Sequence, residues 1–284
     1  MSSVIDLLSQ QLEAQYEHRV WDGAFHASQF YRCARILHQH ARGQDGPVPD
    51  TQTLQIFEDG HSKHAQLQGL LRKTGKLTGE ETWLCGMEVD TPRGRYVLRA
   101  AVVATGTGYQ AWFFSTTEDV AQLGDIYLDK ATATAGVLAS FTDWAAAMNG
   151  TIRLVLSGSR DGKIQLMDYP EIFEIKTLRI DYFDGLREPL PEHVLQVHIY
   201  MWITGYTRSA VLLYACKAFP RYKEFRIPYQ PAIIDYIREK AAYLWAAKEH
   251  PALPTEHILC ANGRYKDWCW MKDTCKAYDK ETRA

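Results

Sequence analysis

The sequence predicts an α/β or α+β fold in which helices cover a central β-sheet. Three observations lead to this class. Segments with apolar residues at helical spacing are mixed along the chain with β-branched and aromatic runs, and neither an internal repeat nor a low-complexity tract stands out. The length of 284 residues is enough to bury a large core. We therefore predict a single domain over residues 1–284.

Helices are expected where apolar side chains recur every three or four residues, and strands where β-branched and aromatic residues dominate. The predicted helices span about 2–18, 28–37, 54–73, 131–148, 191–204 and 231–250. The predicted strands span about 83–114, 151–165, 171–178 and 210–217. A cluster rich in Gly, Pro and Asp over 43–50 predicts a loop. The segment 79–150 is longer than a minimal connection and is interpreted as an elaboration without an assigned role.

Charge and cysteine content restrict the class of protein. The chain carries 32 Lys+Arg and 34 Asp+Glu, and it has no basic tail that would indicate nucleic-acid binding by bulk charge. The first residues lack the basic and apolar regions of a signal peptide. The most apolar stretch, 131–148, contains Asp143 and has its large apolar side chains on one helical face, which indicates a soluble helix. Six cysteines in a chain of this size predict reduced thiols and a cytoplasmic location.

One acid and one lysine stand out because they interrupt an apolar strand. In Glu174-Ile175-Lys176 the two ionisable side chains are two residues apart, so they point to the same side of a strand. Asp161 lies thirteen residues earlier, on the strand predicted to pair with this one. A solvated cross-strand ion pair is one explanation. Ionisable groups next to a core are costly unless they are paired or bind a metal, so a metal site is the other explanation.

Four motifs together resemble the RecB-like branch of the PD-(D/E)XK nuclease superfamily. In chain order they are Gly60-x-x-x-His64, Gly158-Ser-Arg-Asp161, Glu174-Ile175-Lys176 and Gln196-x-x-x-Tyr200. The resemblance extends over most of the chain. It implies a restriction-endonuclease-like mixed central sheet flanked by helices, and a single domain that hydrolyses phosphodiester bonds with the help of a divalent metal ion.

The resemblance also implies residue roles. The implied catalytic residues are Asp161, Glu174, Lys176, Gln196 and Tyr200. The implied metal ligands are His64, Asp161, Glu174 and the backbone carbonyl of Ile175. The oxygen ligands suit Mg²⁺, and a histidine nitrogen is compatible with Mg²⁺ and makes Mn²⁺ particularly acceptable. The lysine is expected to orient the attacking water or to stabilise charge at phosphorus, and the glutamine and tyrosine to position the lysine, the water or the DNA backbone.

Four cysteines form a second motif. Cys33 is near the start of the chain, and Cys260, Cys269 and Cys275 are near its end. This arrangement resembles the iron–sulfur subset of RecB-like nucleases, including CRISPR-associated and AddB-type nuclease domains, and implies a 4Fe–4S cluster that joins a cysteine-rich lobe, residues 251–284, to Cys33. Eight residues separate Cys260 from Cys269, whereas the family usually has two. A four-cysteine Zn²⁺ site is the alternative.

A locally basic stretch predicts the substrate. The cations expected to bind DNA are Arg208, Lys217, Arg221, Lys223 and Arg226. Aromatic residues are interleaved with them, and this combination suits single-stranded DNA, although a solvated strand edge with core aromatics would look the same. We expect a single-strand-preferring exonuclease that acts on DNA ends in recombination, repair or replication, alongside a recombination or replication protein. The alternatives are an inactive DNA-binding scaffold and a restriction-type endonuclease.

Overall fold

The computed structural model of the chain describes residues 4–16, 21–44, 46–114, 121–257, 269–271 and 275. The helices are α1 (Val4–Gln15), α2 (Ala34–Ala41), α3 (Thr51–Arg72), α4 (Lys130–Ala147), α5 (Ile180–Gly185), α6 (Pro191–Thr204) and α7 (Pro231–Ala247). The strands are β1 (Phe25–His26), β2 (Leu77–Thr78), β3 (Thr82–Thr91), β4 (Gly94–Thr105), β5 (Gly108–Phe114), β6 (Ala121–Tyr127), β7 (Thr151–Arg160), β8 (Gly162–Ile164), β9 (Glu171–Leu178), β10 (Ser209–Cys216) and β11 (Tyr222–Pro228).

The strands form two mixed sheets. The six-stranded sheet has the order β1-β7-β3-β4-β5-β6, and the five-stranded sheet has the order β11-β10-β9-β8-β2. Each sheet contains one parallel pair, β1 with β7 and β9 with β10, and its other pairs are antiparallel. Helices flank both sheets, which confirms the predicted α/β class and is consistent with a restriction-endonuclease-like fold.

The two sheets are connected at Asp161. The single strand predicted over 151–165 is divided there, because β7 belongs to the six-stranded sheet and β8 to the five-stranded sheet. A Cβ atom on Gly162 would lie 2.6 Å from Leu77 Cδ1, so the close approach of β8 to β2 depends on a glycine at this position. The change of sheet places Asp161 beside β9, the strand of the Glu-x-Lys motif.

The main hydrophobic core includes residues of both sheets and of the helices between them. Helix α6 is buried over its whole C-terminal part, Gln196–Thr204, as expected for a helix enclosed by other elements. Its apolar side chains Ile199 and Ile203 are fully buried, as is Leu212 of β10. Polar side chains on α6 are therefore carried into the interior, where each needs a hydrogen-bond partner.

The structure also moves the start of helix α2 and shows which elements the segment 79–150 forms. Helix α2 begins at Ala34 rather than near Ser28, because the preceding residues form turns in which Gln29 N bonds to His26 O. Cys33 consequently occupies the position immediately before the helix. The segment 79–150 builds β3–β6 and α4, which supply four of the six strands of one sheet and a helix packed on it. No helix in the described part of the chain is long and apolar enough to cross a membrane.

Candidate active site

Glu174 and Lys176 form an ion pair on β9. The Lys176 Nζ atom donates to Glu174 Oε1 at 2.6 Å. The two side chains lie on the same side of the strand, as the two-residue period requires. Glu174 is buried, whereas the Lys176 side chain keeps 21% of its surface exposed. The pair therefore sits at the boundary between the core and the solvent.

Asp161, His64 and the backbone of Ile175 meet at the same place. The register of β8 and β9 pairs Gly162 with Phe173, so Asp161 lies one step further along, across from Glu174. His64 Nε2 on α3 is 2.7 Å from Asp161 Oδ2 and 3.2 Å from the Ile175 carbonyl oxygen. The Ile175 amide donates to Asp161 Oδ2 at 2.6 Å. The predicted ligands from two strands and a helix are thus brought together.

Gln196 and Tyr200 connect α6 to this group. The Gln196 amide donates to Glu174 Oε1 at 2.9 Å and to the Tyr200 hydroxyl at 2.8 Å. Tyr200 donates in turn to the backbone carbonyl of Ser159 at 2.7 Å. A Cβ atom on Gly158 would lie 2.9 Å from Tyr200 Cε1, so this glycine allows the tyrosine ring to approach β7. The network holds the Glu174 carboxylate through Oε1, the same oxygen that accepts from Lys176.

The charges in the site shift the ionisation of its members. Burial, together with the negative charge of Asp161, raises the pKa of Glu174 to about 7, although Lys176 acts in the opposite direction. Burial alone would lower the pKa of Lys176, but the charges of Glu174 and Asp161 outweigh it and raise that pKa. Burial would likewise lower the pKa of His64, but the hydrogen bond to Asp161 and its charge raise it. The site therefore has an excess of negative charge that a cation would relieve.

The donor atoms fit a divalent cation. His64, Glu81 and Asp161 each offer one ligand atom, and these atoms all lie within 4.8 Å of one another. In the described part of the chain, Glu174 Oε2 is buried and has no hydrogen-bond partner. A buried carboxylate oxygen without a donor is costly, and a metal ion would satisfy it. Carboxylate and carbonyl oxygens with one imidazole suit Mg²⁺ or Mn²⁺.

Two residues of the site, Gln68 and Glu81, were not predicted from the sequence. Gln68 Nε2 lies 2.9 Å from Glu81 Oε1 and 3.2 Å from the Asp161 carbonyl oxygen. Gln68 follows His64 by four residues on α3, so helical spacing was an available signal for it. Glu81 lies in the turn between β2 and β3, and no spacing rule relates a turn residue to a helix seventeen residues earlier.

Among the four predicted cysteine ligands, Cys269 lies close enough to Cys33 and to Cys275 for their charges to affect it, and Cys260 lies outside the described residues. Burial raises the pKa of Cys269, and the nearby sulfurs of Cys33 and Cys275 add to that rise. Arg35 donates to Cys275 Sγ at 2.7 Å. Among the described residues, the three sulfurs do not form a group with all ligand atoms within 4.8 Å.

The five predicted DNA-binding cations have different surroundings. Arg208 lies over the Tyr169 ring. The two lysines donate to backbone carbonyls, Lys217 to Ile56 at 2.5 Å and Lys223 to Phe183 and Leu186 at 2.6 and 2.7 Å. The other two arginines form ion pairs, Arg221 with Asp184 at 2.7 Å and Arg226 with Glu171 at 2.9 Å. Glu171 is buried, so its arginine partner also supports the fold. Their role in DNA binding stays a prediction.

Comparison with solved structures finds distant similarities. The "Crystal structure of SSO0001" has a TM-score of 0.47 and 16% identity, with 98% of each chain covered. An alkaline exonuclease (LHK-Exo) from Laribacter hongkongensis has a TM-score of 0.40 and 15% identity, covering 84% of this chain and 92% of that one. LHK-Exo in complex with dAMP has a TM-score of 0.29 and 18% identity, covering 44% and 72%. No protein-family model and no curated protein matches the sequence.

Proposed function

We propose that this chain is a divalent-metal-dependent DNA nuclease, and more specifically an exonuclease that prefers single-stranded ends. The observation that carries the proposal is the buried Glu174 carboxylate. One of its oxygens is held by Lys176 and Gln196, while the other has no hydrogen-bond partner in the described part of the chain, and the charges of Asp161 and His64 both act on this carboxylate. A buried carboxylate oxygen without a donor is uncommon in a folded protein, and a divalent ion would satisfy it.

The residues of the site match the needs of phosphodiester hydrolysis. Asp161, Glu174, His64 and the Ile175 carbonyl would hold Mg²⁺ or Mn²⁺. When bound, such an ion supplies positive charge to the phosphate oxygens and lowers the pKa of a coordinated water. Lys176 keeps its proton because the neighbouring carboxylates raise its pKa, so its Nζ atom can donate to the attacking water or to a phosphate oxygen.

Gln196 and Tyr200 act on the reaction through Glu174. The amide of Gln196 donates to Oε1, the oxygen that also accepts from Lys176, and this leaves Oε2 directed elsewhere. The Tyr200 hydroxyl in turn accepts from that amide and donates to the main chain. Together they hold the carboxylate in one orientation before the metal ion binds, which reduces the entropy lost on binding.

Exposed rings support a single-stranded substrate. Tyr182, Phe219 and Tyr222 have 55%, 53% and 47% of their surface exposed. Tyr182 follows β9, the strand that carries Lys176. Phe219 and Tyr222 follow β10, which pairs with β9 in parallel. Bases of a single strand stack on such rings, while Lys217 and Arg221 in the same region offer positive charge to the phosphates.

The activity test uses end-labelled linear DNA, single- and double-stranded, together with covalently closed circles. With Mn²⁺ or Mg²⁺ we expect short products from linear single strands, intact circles, and no products in EDTA. Glu174→Gln and Lys176→Met should each lower the rate about 100-fold or more while the protein stays folded. The matched control is Lys73→Met, an exposed lysine at the end of α3, which should cut normally.

Other outcomes would contradict the proposal in distinct ways. Discrete fragments from circles would indicate an endonuclease. Retention of DNA without cleavage would indicate a binding scaffold, and cleavage that survives EDTA would remove the metal ion from the reaction.

A recombination or replication protein as partner is part of the same proposal and would be tested after activity on DNA ends is established.

We further propose that Cys33, Cys260, Cys269 and Cys275 bind a 4Fe–4S cluster. One early and three late cysteines are arranged as in the iron–sulfur subset of RecB-like nucleases, and Cys269 lies close enough to Cys33 and Cys275 for their charges to affect it. Protein purified without oxygen should be brown, absorb at about 400 nm and contain iron. Cys275→Ser should lose the absorbance and the iron, whereas Cys85→Ser should keep both. Colourless protein containing zinc would support the alternative.

A further inference from the structure

The carboxylate of Glu81 lies near the Nδ1 atom of the His64 ring. Its Oε1 atom is 4.0 Å from His64 Nδ1 and accepts a hydrogen bond from Gln68 at 2.9 Å. The side chain is 59% exposed, so burial does not force it into this place. The same Gln68 amide nitrogen also donates to the Asp161 carbonyl oxygen, which ties the turn that carries Glu81 to the junction of the two sheets.

The backbone at Glu81 is unusual. Its φ angle is +50°, in the left-handed region that favours glycine, and a glutamate there is conformationally unfavourable. A glycine would relax the turn without loss of the flanking strands. The unfavourable residue therefore suggests a contribution from its side chain, which accepts a hydrogen bond from Gln68 and lies 4.0 Å from His64 Nδ1.

The two nitrogens of His64 face different partners. Nε2 points to Asp161 and the Ile175 carbonyl, the atoms that would hold the divalent ion, while Nδ1 points to Glu81. A histidine that binds a metal through one nitrogen carries its proton on the other, and that N–H is normally held by a carboxylate or carbonyl. The distance from Glu81 Oε1 to His64 Nδ1 is 4.0 Å, and a movement of about 1 Å would bring the two atoms into hydrogen-bond distance.

We propose that Glu81 is a positioning residue that accepts a hydrogen bond from His64 Nδ1 and thereby holds Nε2 toward the divalent ion. This inference rests on the proposed metal site and adds to it a residue from outside the four sequence motifs. It assigns Glu81 to the histidine and not to the ion. Gln68 holds the Glu81 carboxylate in reach of the ring.

Binding of Mn²⁺, measured by isothermal titration calorimetry and by the EPR signal of the free ion, tests the inference without relying on cleavage. Glu81→Ala should weaken Mn²⁺ binding about 10-fold. Glu81→Gln should stay within about threefold of the wild type, since an amide oxygen still accepts from Nδ1–H. Glu58→Ala is the matched control: Glu58 faces His61 at 3.6 Å on the solvent side of α3, and its removal should leave affinity unchanged.

A third variant separates positioning from a merely structural role. Glu81→Gly relieves the backbone, so its melting temperature should rise even though Mn²⁺ binding weakens as in Glu81→Ala. A purely structural glutamate would instead show lower stability without a specific loss of affinity.

The outcomes are distinguishable. If the wild type binds no Mn²⁺, both the proposed metal site and this inference fail. If the wild type binds but Glu81→Ala binds equally well, the inference alone fails. If Glu81→Gln binds as weakly as Glu81→Ala, the carboxylate contacts the ion directly and the positioning role is overturned.

Discussion

Lys240 offers a sharp test of the electrostatics of the interior. This lysine of α7 is fully buried, and its Nζ atom donates to the carbonyls of Phe30 and Arg32 at 2.6 and 2.8 Å. In the described part of the chain it has no carboxylate partner. Burial lowers the pKa of Lys240 from 10.5 to about 7, so the folded protein releases this proton at lower pH than the unfolded chain.

The sign and size of the effect follow from proton linkage. Between pH 7 and 10.5 the unfolded chain binds more protons, so the free energy of unfolding rises with pH. The shift of about 3.5 pKa units corresponds to about 5 kcal/mol of destabilisation below pH 7, and about 2 kcal/mol of it is left at pH 9. Between pH 6 and pH 9 the free energy of unfolding of the wild type should therefore rise by about 3 kcal/mol more than that of Lys240→Met.

The assay is urea denaturation of both proteins at pH 6, 7.5 and 9. Comparing the two pH dependences removes contributions that both proteins share, including the pH-independent cost of the two carbonyls left unpaired by methionine, about 1 to 3 kcal/mol each. Parallel pH dependences would refute the reasoning, because they would show that Lys240 keeps its proton, or its solvation, in the folded state.

Three further variants test the structure around the site. Gly158→Ala should lower the free energy of unfolding by about 1 to 3 kcal/mol in urea denaturation, because the new methyl group collides with the Tyr200 ring; unchanged stability would contradict that packing. Tyr200→Phe should cost about 1 to 3 kcal/mol in the same assay and slow cleavage, since Gln196 loses an acceptor; full activity would contradict the positioning network. Arg226→Met should lower the free energy of unfolding by about 2 kcal/mol, because Glu171 stays buried without its cation. A change in DNA affinity with no change in stability would show that Arg226 binds DNA and does not support the fold.

Local rules accounted for much of the candidate site. The two-residue period of a strand placed Glu174 and Lys176 on one side, and the four-residue spacing on a helix placed Gln196 and Tyr200 on one face, and the structure has both arrangements. Helix α6 spans the predicted range 191–204. These features depend on the geometry of a single element, which neighbouring residues determine.

Several features that depend on two or more elements were beyond the sequence. The division of the predicted strand over 151–165 between two sheets required knowledge of which strands pair. Lys223 donates to carbonyls at the end of α5, and Arg226 pairs with Glu171, contacts that an alternating basic pattern does not reveal. The basic stretch predicted DNA binding or a solvated strand edge for Arg226, whereas the structure pairs Arg226 with the buried Glu171.

By itself, the sequence determined the class of the fold and the residue types able to hold a metal ion beside a lysine, because periodicity and side-chain chemistry are local properties. Only the tertiary structure decided that Asp161 lies where the chain passes from one sheet to the other, and that Glu81 reaches His64 from a turn with an unfavourable backbone angle. Those placements arise from the packing of distant segments, which is a collective property of the whole chain.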